Sequence, residues 1–221
     1  MKGPHAMQND LIIQRPASAQ TPAHELLLLL HGVGSGAEDL RPLGQALALQ
    51  RPQAWIVSVR SPHRSQSGSG SQWFSVQGVT QGNRPARVAA AMPAFLQSVA
   101  AWQRECGVSA AQTTLIGFSQ GAIMALESTQ TGQAPAARVI ALSGRFARAP
   151  QVAPASLRVH LMHGDRDPVI PLQLALDASA QLRGLGVPAT LDQFAGLGHG
   201  IDRRVVDAIV RRLEDALAAS H

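Results

Sequence analysis

The stretch that decides the fold is TTLIGFSQGAIMAL, residues 113–126. It sets an apolar strand, the turn Gly117-Phe118-Ser119-Gln120-Gly121 and an apolar helix in immediate succession. A Gly-x-Ser-x-Gly turn in that setting lifts a serine hydroxyl out of a buried strand, where it can act as a nucleophile. The pentapeptide alone is common by chance, so the rest of the chain must supply the serine's partners.

Working outward, β-type apolar runs recur as ELLLLLHG, AWIVSV, TTLIGFS, ARVIALSG, LRVHLMHG and ATLDQF. The runs are continuous, not alternating, which predicts strands covered on both faces and therefore a mainly parallel sheet. Between them lie helical patterns. Val88, Met92, Phe95, Val99 and Trp102 form one helical stripe that Pro93 is expected to kink, and Val205, Ile209 and Leu213 form another with Asp202 as N-cap. Strand and helix alternating in this way predict an α/β fold, a mostly parallel central sheet with helices on both faces. Active groups then gather at the carboxyl ends of the strands. The organisation expected is an N-terminal tail over residues 1–10 and a single domain over 11–221. Residues 61–83, SPHRSQSGSGSQWFSVQGVTQGN, are the least regular part and read as a mobile surface loop carrying Trp73 and Phe74.

The 221 residues, 45% hydrophobic, are enough for one sizeable core. The formal charge of +5 comes almost wholly from dispersed arginines, Lys2 being the only lysine, and no basic run exceeds two residues. That dispersal argues against a nucleic-acid partner despite the high isoelectric point. A single cysteine, Cys106, excludes an internal disulfide and suits a reducing compartment. The LLLLL run is too short to cross a bilayer and the N-terminus has no signal-like apolar segment, so a cytoplasmic protein without stable membrane insertion is expected. The oligomeric state is left open by the sequence.

A serine needs a base, and the base needs an acid to orient it. In α/β-hydrolases the order along the chain is nucleophile, acid, histidine. His160, His163, His199 and His221 all follow Ser119. His221 is terminal, and His160 and His163 belong to a strand ahead of any acid, which favours structural roles. His199 stands in GLGHGID, where flanking glycines let an imidazole reach into a cleft. HGDRDPVIP offers two acids: Asp167, made extended by Pro168, and Asp165, better placed to order the turn. The residues alone leave both open. An oxyanion hole needs two N–H donors. The Gln120 amide follows the nucleophile, and LLLLLHGVGSG, a glycine-rich loop after an early strand, points to Val33 for the second; its spacing fits no phosphate-binding motif. Trp73 and Phe74 either wall an acyl pocket or anchor their loop to the core.

LLLLLHGVG, QWFSVQG, GFSQGAIMALES, HGDRDPVIP and GLGHGID, taken as an ordered set, resemble the carboxylesterase/phospholipase family of α/β-hydrolases, especially its bacterial YpfH-like serine esterases. The likeness runs from about residue 11 to 218. It implies Ser119 as nucleophile, Asp167 as acid and His199 as base, with the Val33 and Gln120 amides as oxyanion hole and Trp73 near the acyl pocket. It implies a small-molecule ester substrate and no cofactor or metal. One departure matters: many relatives have Asp where this chain has Ser35 after HGVG, so the lipidated-protein substrates of the acyl-protein thioesterases are not carried over. The function expected is hydrolysis of short- to medium-chain carboxylic esters. The alternatives are a thioesterase or lysophospholipase of the same family and a non-catalytic binding protein on the same fold.

Overall fold

The computed structural model describes residues 9–17, 25–66, 69–152 and 157–214. Among these residues seven strands form one sheet: β1 (Leu11–Gln14), β2 (Glu25–Leu30), β3 (Ala54–Val59), β6 (Thr113–Phe118), β7 (Arg138–Leu142), β8 (Arg158–Gly164) and β9 (Ala189–Phe194), in spatial order β1-β3-β2-β6-β7-β8-β9. A separate two-stranded ribbon pairs β4 (His63–Arg64) with β5 (Ser71–Gln72). All pairings in the large sheet are parallel except β1 against β3. The six strands read from apolar runs are present. β1 was not among them, because LIIQ is only four residues long and partly exposed.

Among the described residues five α-helices complete the fold: α1 (Arg41–Gln50), α2 (Arg84–Cys106), α3 (Gln120–Ser128), α4 (Leu172–Gly184) and α5 (Arg203–Glu214). The leucines of β2 show why both faces of the sheet need cover. Leu26, Leu28 and Leu30 enter one core cluster while Leu27 and Leu29 enter the other, and all five are fully buried. The first cluster packs on α2, α3 and α4, the second on α1 and α5. Each fully buried leucine contributes on the order of 1.5–3 kcal/mol by leaving water.

The predicted α2 stripe is the buried one, Val88, Met92, Phe95, Val99 and Trp102. Pro93 lies inside this helix, which continues as a single element from Arg84 to Cys106. The proline sits on the exposed face and its missing donor would have served the carbonyl of Ala89, also exposed, where water can take the bond. Asp202 does accept the Val205 amide at 3.2 Å ahead of α5. Among the described residues no helix is long and apolar enough to cross a membrane.

Asp10, the last residue of the expected tail, fastens the edge of the sheet to α2. Its carboxylate accepts the Trp102 indole N–H at 2.7 Å and the Arg60 amide at 2.8 Å. Burial raises its pKa, partly opposed by those two bonds. Asp10→Ala should therefore cost about 1–3 kcal/mol, because it strands two donors. Urea unfolding measures this, and an unchanged midpoint would make residue 10 part of a passive tail.

Candidate active site

Ser119 occupies the turn between β6 and α3 with φ 53° and ψ −113°, a backbone region costly for any residue with a side chain. Its neighbours leave no alternative. A Cβ on Gly121 would lie 2.1 Å from the Leu30 carbonyl oxygen, and one on Gly117 would meet the Gly121 and Ala122 backbone at 2.5 Å. The amide of Ser119 is held by Leu142 O at 2.9 Å, across the tip of β7. Gln120 is the first residue of α3, so its N–H has no acceptor within the helix and is available at the site.

The histidine and the acid reach this serine from β9 and β8. His199 Nε2 lies 2.9 Å from Ser119 Oγ, and His199 Nδ1 lies 2.7 Å from Asp167 Oδ2. A carboxylate only accepts, so Nδ1 carries the proton and Nε2 is left to accept the serine O–H. Asp167 is buried. Burial pushes its pKa up, but hydrogen bonds from His199 and from the Ile170 and Val169 amides outweigh that and hold it below the ordinary value, so it is ionised. Those amides reach Oδ1 at 2.9 and 2.8 Å.

The two aspartates in HGDRDPVIP have separate tasks. Asp165 accepts the Gly196 amide at 2.7 Å and so ties the loop that carries His199 to the end of β8. Gly164 permits that approach, since a Cβ there would lie 2.2 Å from the Leu197 carbonyl oxygen. His163, read as structural, donates from Nε2 to the Ile170 carbonyl at 2.7 Å and steadies the turn that cradles Asp167. His160 is bonded to Thr190 Oγ1 at 2.9 Å on the sheet. His221 lies outside the described residues.

The glycine-rich loop after β2 brings Val33 to the same cavity as Ser119 and Gln120. Its framework was not foreseen from sequence. His31 Nδ1 donates to Gly32 O at 2.7 Å while Nε2 accepts the Ser61 amide at 3.1 Å, an arrangement open only to the neutral ring. Burial lowers the His31 pKa in the same sense. The Gly34 amide donates to Ser71 O at 2.9 Å, and the Ser71 amide returns a bond to Ser35 O at 2.7 Å. A Cβ on Gly70 would lie 2.1 Å from Gly34 O, so the glycine serves close contact here. Finally, Gln120 clamps the next turn: Oε1 accepts the Trp73 amide at 2.8 Å and Nε2 donates to Phe74 O at 2.7 Å.

Two expectations about residues 61–83 are corrected by these contacts. Ser61, Ser71, Gln72, Trp73 and Phe74 are buried and so are not part of a surface loop, whereas residues 62–64 and 80–82 are exposed. Trp73, expected near the acyl pocket, is not among the residues that line the cavity beside Ser119. Its indole N–H donates to His31 O at 2.9 Å and its ring stands edge-on to Phe95 at 5.4 Å, inside the core. Phe74 instead lines the cavity of about 180 Å³ beside Ser119, together with Val33, Ile123 and Ile170. Arg84 and Arg145 line it as well. Neither arginine stood out in the sequence, although Arg145 follows the carboxyl end of β7, where α/β sites gather. Cys106 offers no second nucleophile: it is buried, and burial pushes its thiol up to about 12.

Known proteins share the sequence family and the fold of this chain. A family model described as Phospholipase/Carboxylesterase matches residues 12–216. The chain belongs to the phospholipase/carboxylesterase family. It is 46% identical over 199 residues to esterase YpfH of Escherichia coli K12, covering 90% of this chain and 84% of that protein. Acyl-protein thioesterase 1 of Kluyveromyces lactis is 28% identical over 229 residues, covering 92% and 96%. Among solved structures, esterase PE8 superposes with a TM-score of 0.83 at 30% identity, covering 91% of this chain and 96% of that one. The Bacillus cereus carboxylesterase shares the fold with a TM-score of 0.80 at 19% identity, covering 96% of each chain.

For this family member the environment of Trp73 separates two roles. Trp73→Ala should destabilise by about 3–5 kcal/mol, as truncation of a buried aromatic does, before any change of substrate preference; thermal melting read beside an acyl-chain series decides. Gln120→Ala keeps the backbone amide but leaves the Trp73 N–H and Phe74 C=O unpaired. Its expected cost is about 1–3 kcal/mol per stranded group, with a lower rate on esters, and an unaltered melting temperature would contradict the clamp.

Proposed function

We propose that this family member is a serine carboxylesterase acting on short- to medium-chain carboxylic esters, with Ser119, His199 and Asp167 as its triad. The observation that carries the reading is the continuous line of hydrogen bonds from Ser119 Oγ through His199 to Asp167, at 2.9 and 2.7 Å. Ser119 Oγ attacks the ester carbonyl carbon while His199 Nε2 takes its proton. Asp167, ionised and fixed by two amides, holds the ring and stabilises the imidazolium that forms. The tetrahedral oxyanion is met by the Val33 and Gln120 amides. As it collapses, the bond to the alcohol oxygen breaks and His199 returns the proton to that oxygen. Water, deprotonated by His199, then attacks the acyl-enzyme, and the carboxylic acid leaves as Ser119 Oγ regains its proton.

The size of the cavity supports short acyl groups. About 180 Å³ lies below the roughly 300–1,000 Å³ common for larger ligands. A thioesterase would form the same acyl-enzyme, and the yeast relative named for that activity makes matched oxygen and sulfur esters a necessary comparison.

The test is a chain-length series on the purified protein with Ser119→Ala as control. The expected optimum of kcat/KM lies at the shorter acyl groups of the series. The variant should remain folded, lose labelling by a fluorophosphonate and fall by about 10³-fold or more in rate. Retention of most of the esterase rate by Ser119→Ala would overturn the assignment, and absence of labelling in the unaltered protein would favour a non-catalytic binding protein.

A further inference from the structure

The cavity beside Ser119 is apolar on most of its wall, yet two arginines line it, Arg84 from the start of α2 and Arg145 from just beyond β7. Both are partly buried. Neither forms an ion pair with a carboxylate among the described residues. Among the described residues Arg145 donates only from Nε, to Phe146 O at 3.0 Å, so its terminal fork has no partner among them; Arg84 donates from one terminal nitrogen to Gln81 Oε1 at 3.0 Å. The charges are close enough to matter: burial lowers the pKa of Arg145, and the neighbouring Arg84 lowers it further. The opposing carboxylate is Glu127, whose Oε1 is already taken by the Ala147 and Arg148 amides at 2.6 and 3.3 Å and whose pKa is raised by burial. Two like charges in one partly desolvated cavity repel each other, so the site is better satisfied by an anion than by water alone.

We propose that Arg84 and Arg145 form an anion subsite that selects esters carrying a carboxylate or phosphate group within a few atoms of the scissile carbonyl. The inference rests on the esterase reading and narrows its substrate class. The planar fork of Arg145 suits two oxygens of either anion, and Arg84 adds a second positive charge. The small cavity sets the spacing, since an anion bound there cannot be far from the carbonyl attacked by Ser119.

The experiment compares ethyl esters of equal chain length whose acyl groups end in a methyl or in a carboxylate, together with a short-chain acyl ester of a phosphate-bearing alcohol. In the unaltered protein at low ionic strength, at least one anionic ester should exceed its neutral match by about tenfold or more in kcat/KM, mainly through KM. Which arm shows it distinguishes carboxylate from phosphate. Arg145→Gln should reduce that ratio by about tenfold, Arg145→Lys should retain part of it, and Arg145→Glu should reverse it in favour of an amine-ended ester. Calorimetric binding of a short dicarboxylate and of an alkyl phosphate, weakened by Arg145→Gln, reads the subsite without turnover. A neutral ester preferred by the unaltered protein, or an equal loss on neutral and anionic esters in Arg145→Gln, overturns the subsite while leaving the esterase reading intact. Anion binding without hydrolysis of any ester supports the subsite and sinks the esterase reading instead.

Discussion

The backbone of Ser119 is held at φ 53° by contacts too close for any side chain on either glycine beside it. A conformation of that kind costs about 1–3 kcal/mol and persists only where its surroundings over-determine it. Here the Leu30 and His31 carbonyls press on Gly121, Leu142 O holds the Ser119 amide, and Ser119 O accepts the Ile123 amide at 3.1 Å to open α3. Every residue of α3 is buried, so the helix cannot shift to relieve the turn without breaking the core on that side of the sheet. The position of Oγ is thus set by the packing of β2, β6, β7 and α3, and the other groups of the site have to be brought to it.

They are brought by separate means, and each is polar. The Asp167 carboxylate is held by two amides of its own turn, while the His199 loop is moored to β8 by Asp165 and by the room at Gly164. These bonds have a consequence for stability. The Asp167 pKa is lowered from 3.8, so the stabilisation it lends is fully present above about that pH and is lost as pH falls through the lowered folded-state value. His31, its pKa lowered from 6.5, acts in the same direction: protonating Nε2 removes the acceptor of the Ser61 amide, so its contribution fades as pH falls through its own depressed value. Asp10, Glu25 and Glu127, with pKa values raised by burial, work the other way and favour the folded state as they are protonated. Acid therefore weakens the frame of the site while it relieves carboxylates buried elsewhere.

What was legible in the sequence follows from how local each signal is. The leucines of β2 and the stripe of α2 declare burial by composition and period, and the Gly117-to-Gly121 turn declares a close approach by residue type. His199 and Asp167 were legible because their order after Ser119 and their glycine or proline neighbours are local features, although choosing Asp167 over Asp165 required the family resemblance. β1 was missed because four residues carry too little pattern. The side chain of Gln120, the neutral His31 and the pair Arg84 and Arg145 were missed because their meaning comes from partners 30 or more residues away. Trp73 was ambiguous for the same reason, since only Phe95 and His31 O show that it faces inward.

The segment before Trp73 shows how composition can mislead about rigidity. Serine and glycine enrich flexible linkers because they bury little and restrict little. At Gly70 and Ser71 the same residue types do the opposite, one by admitting the Gly34 carbonyl to contact and the other by exchanging backbone bonds with the loop after β2. Gln120 then closes the frame from α3 by holding the Trp73 amide and the Phe74 carbonyl. The cavity wall on this side is therefore positioned by backbone hydrogen bonds, which tolerate little change of shape. Within such a wall Phe74, itself packed in the core, and Arg145 both line the cavity.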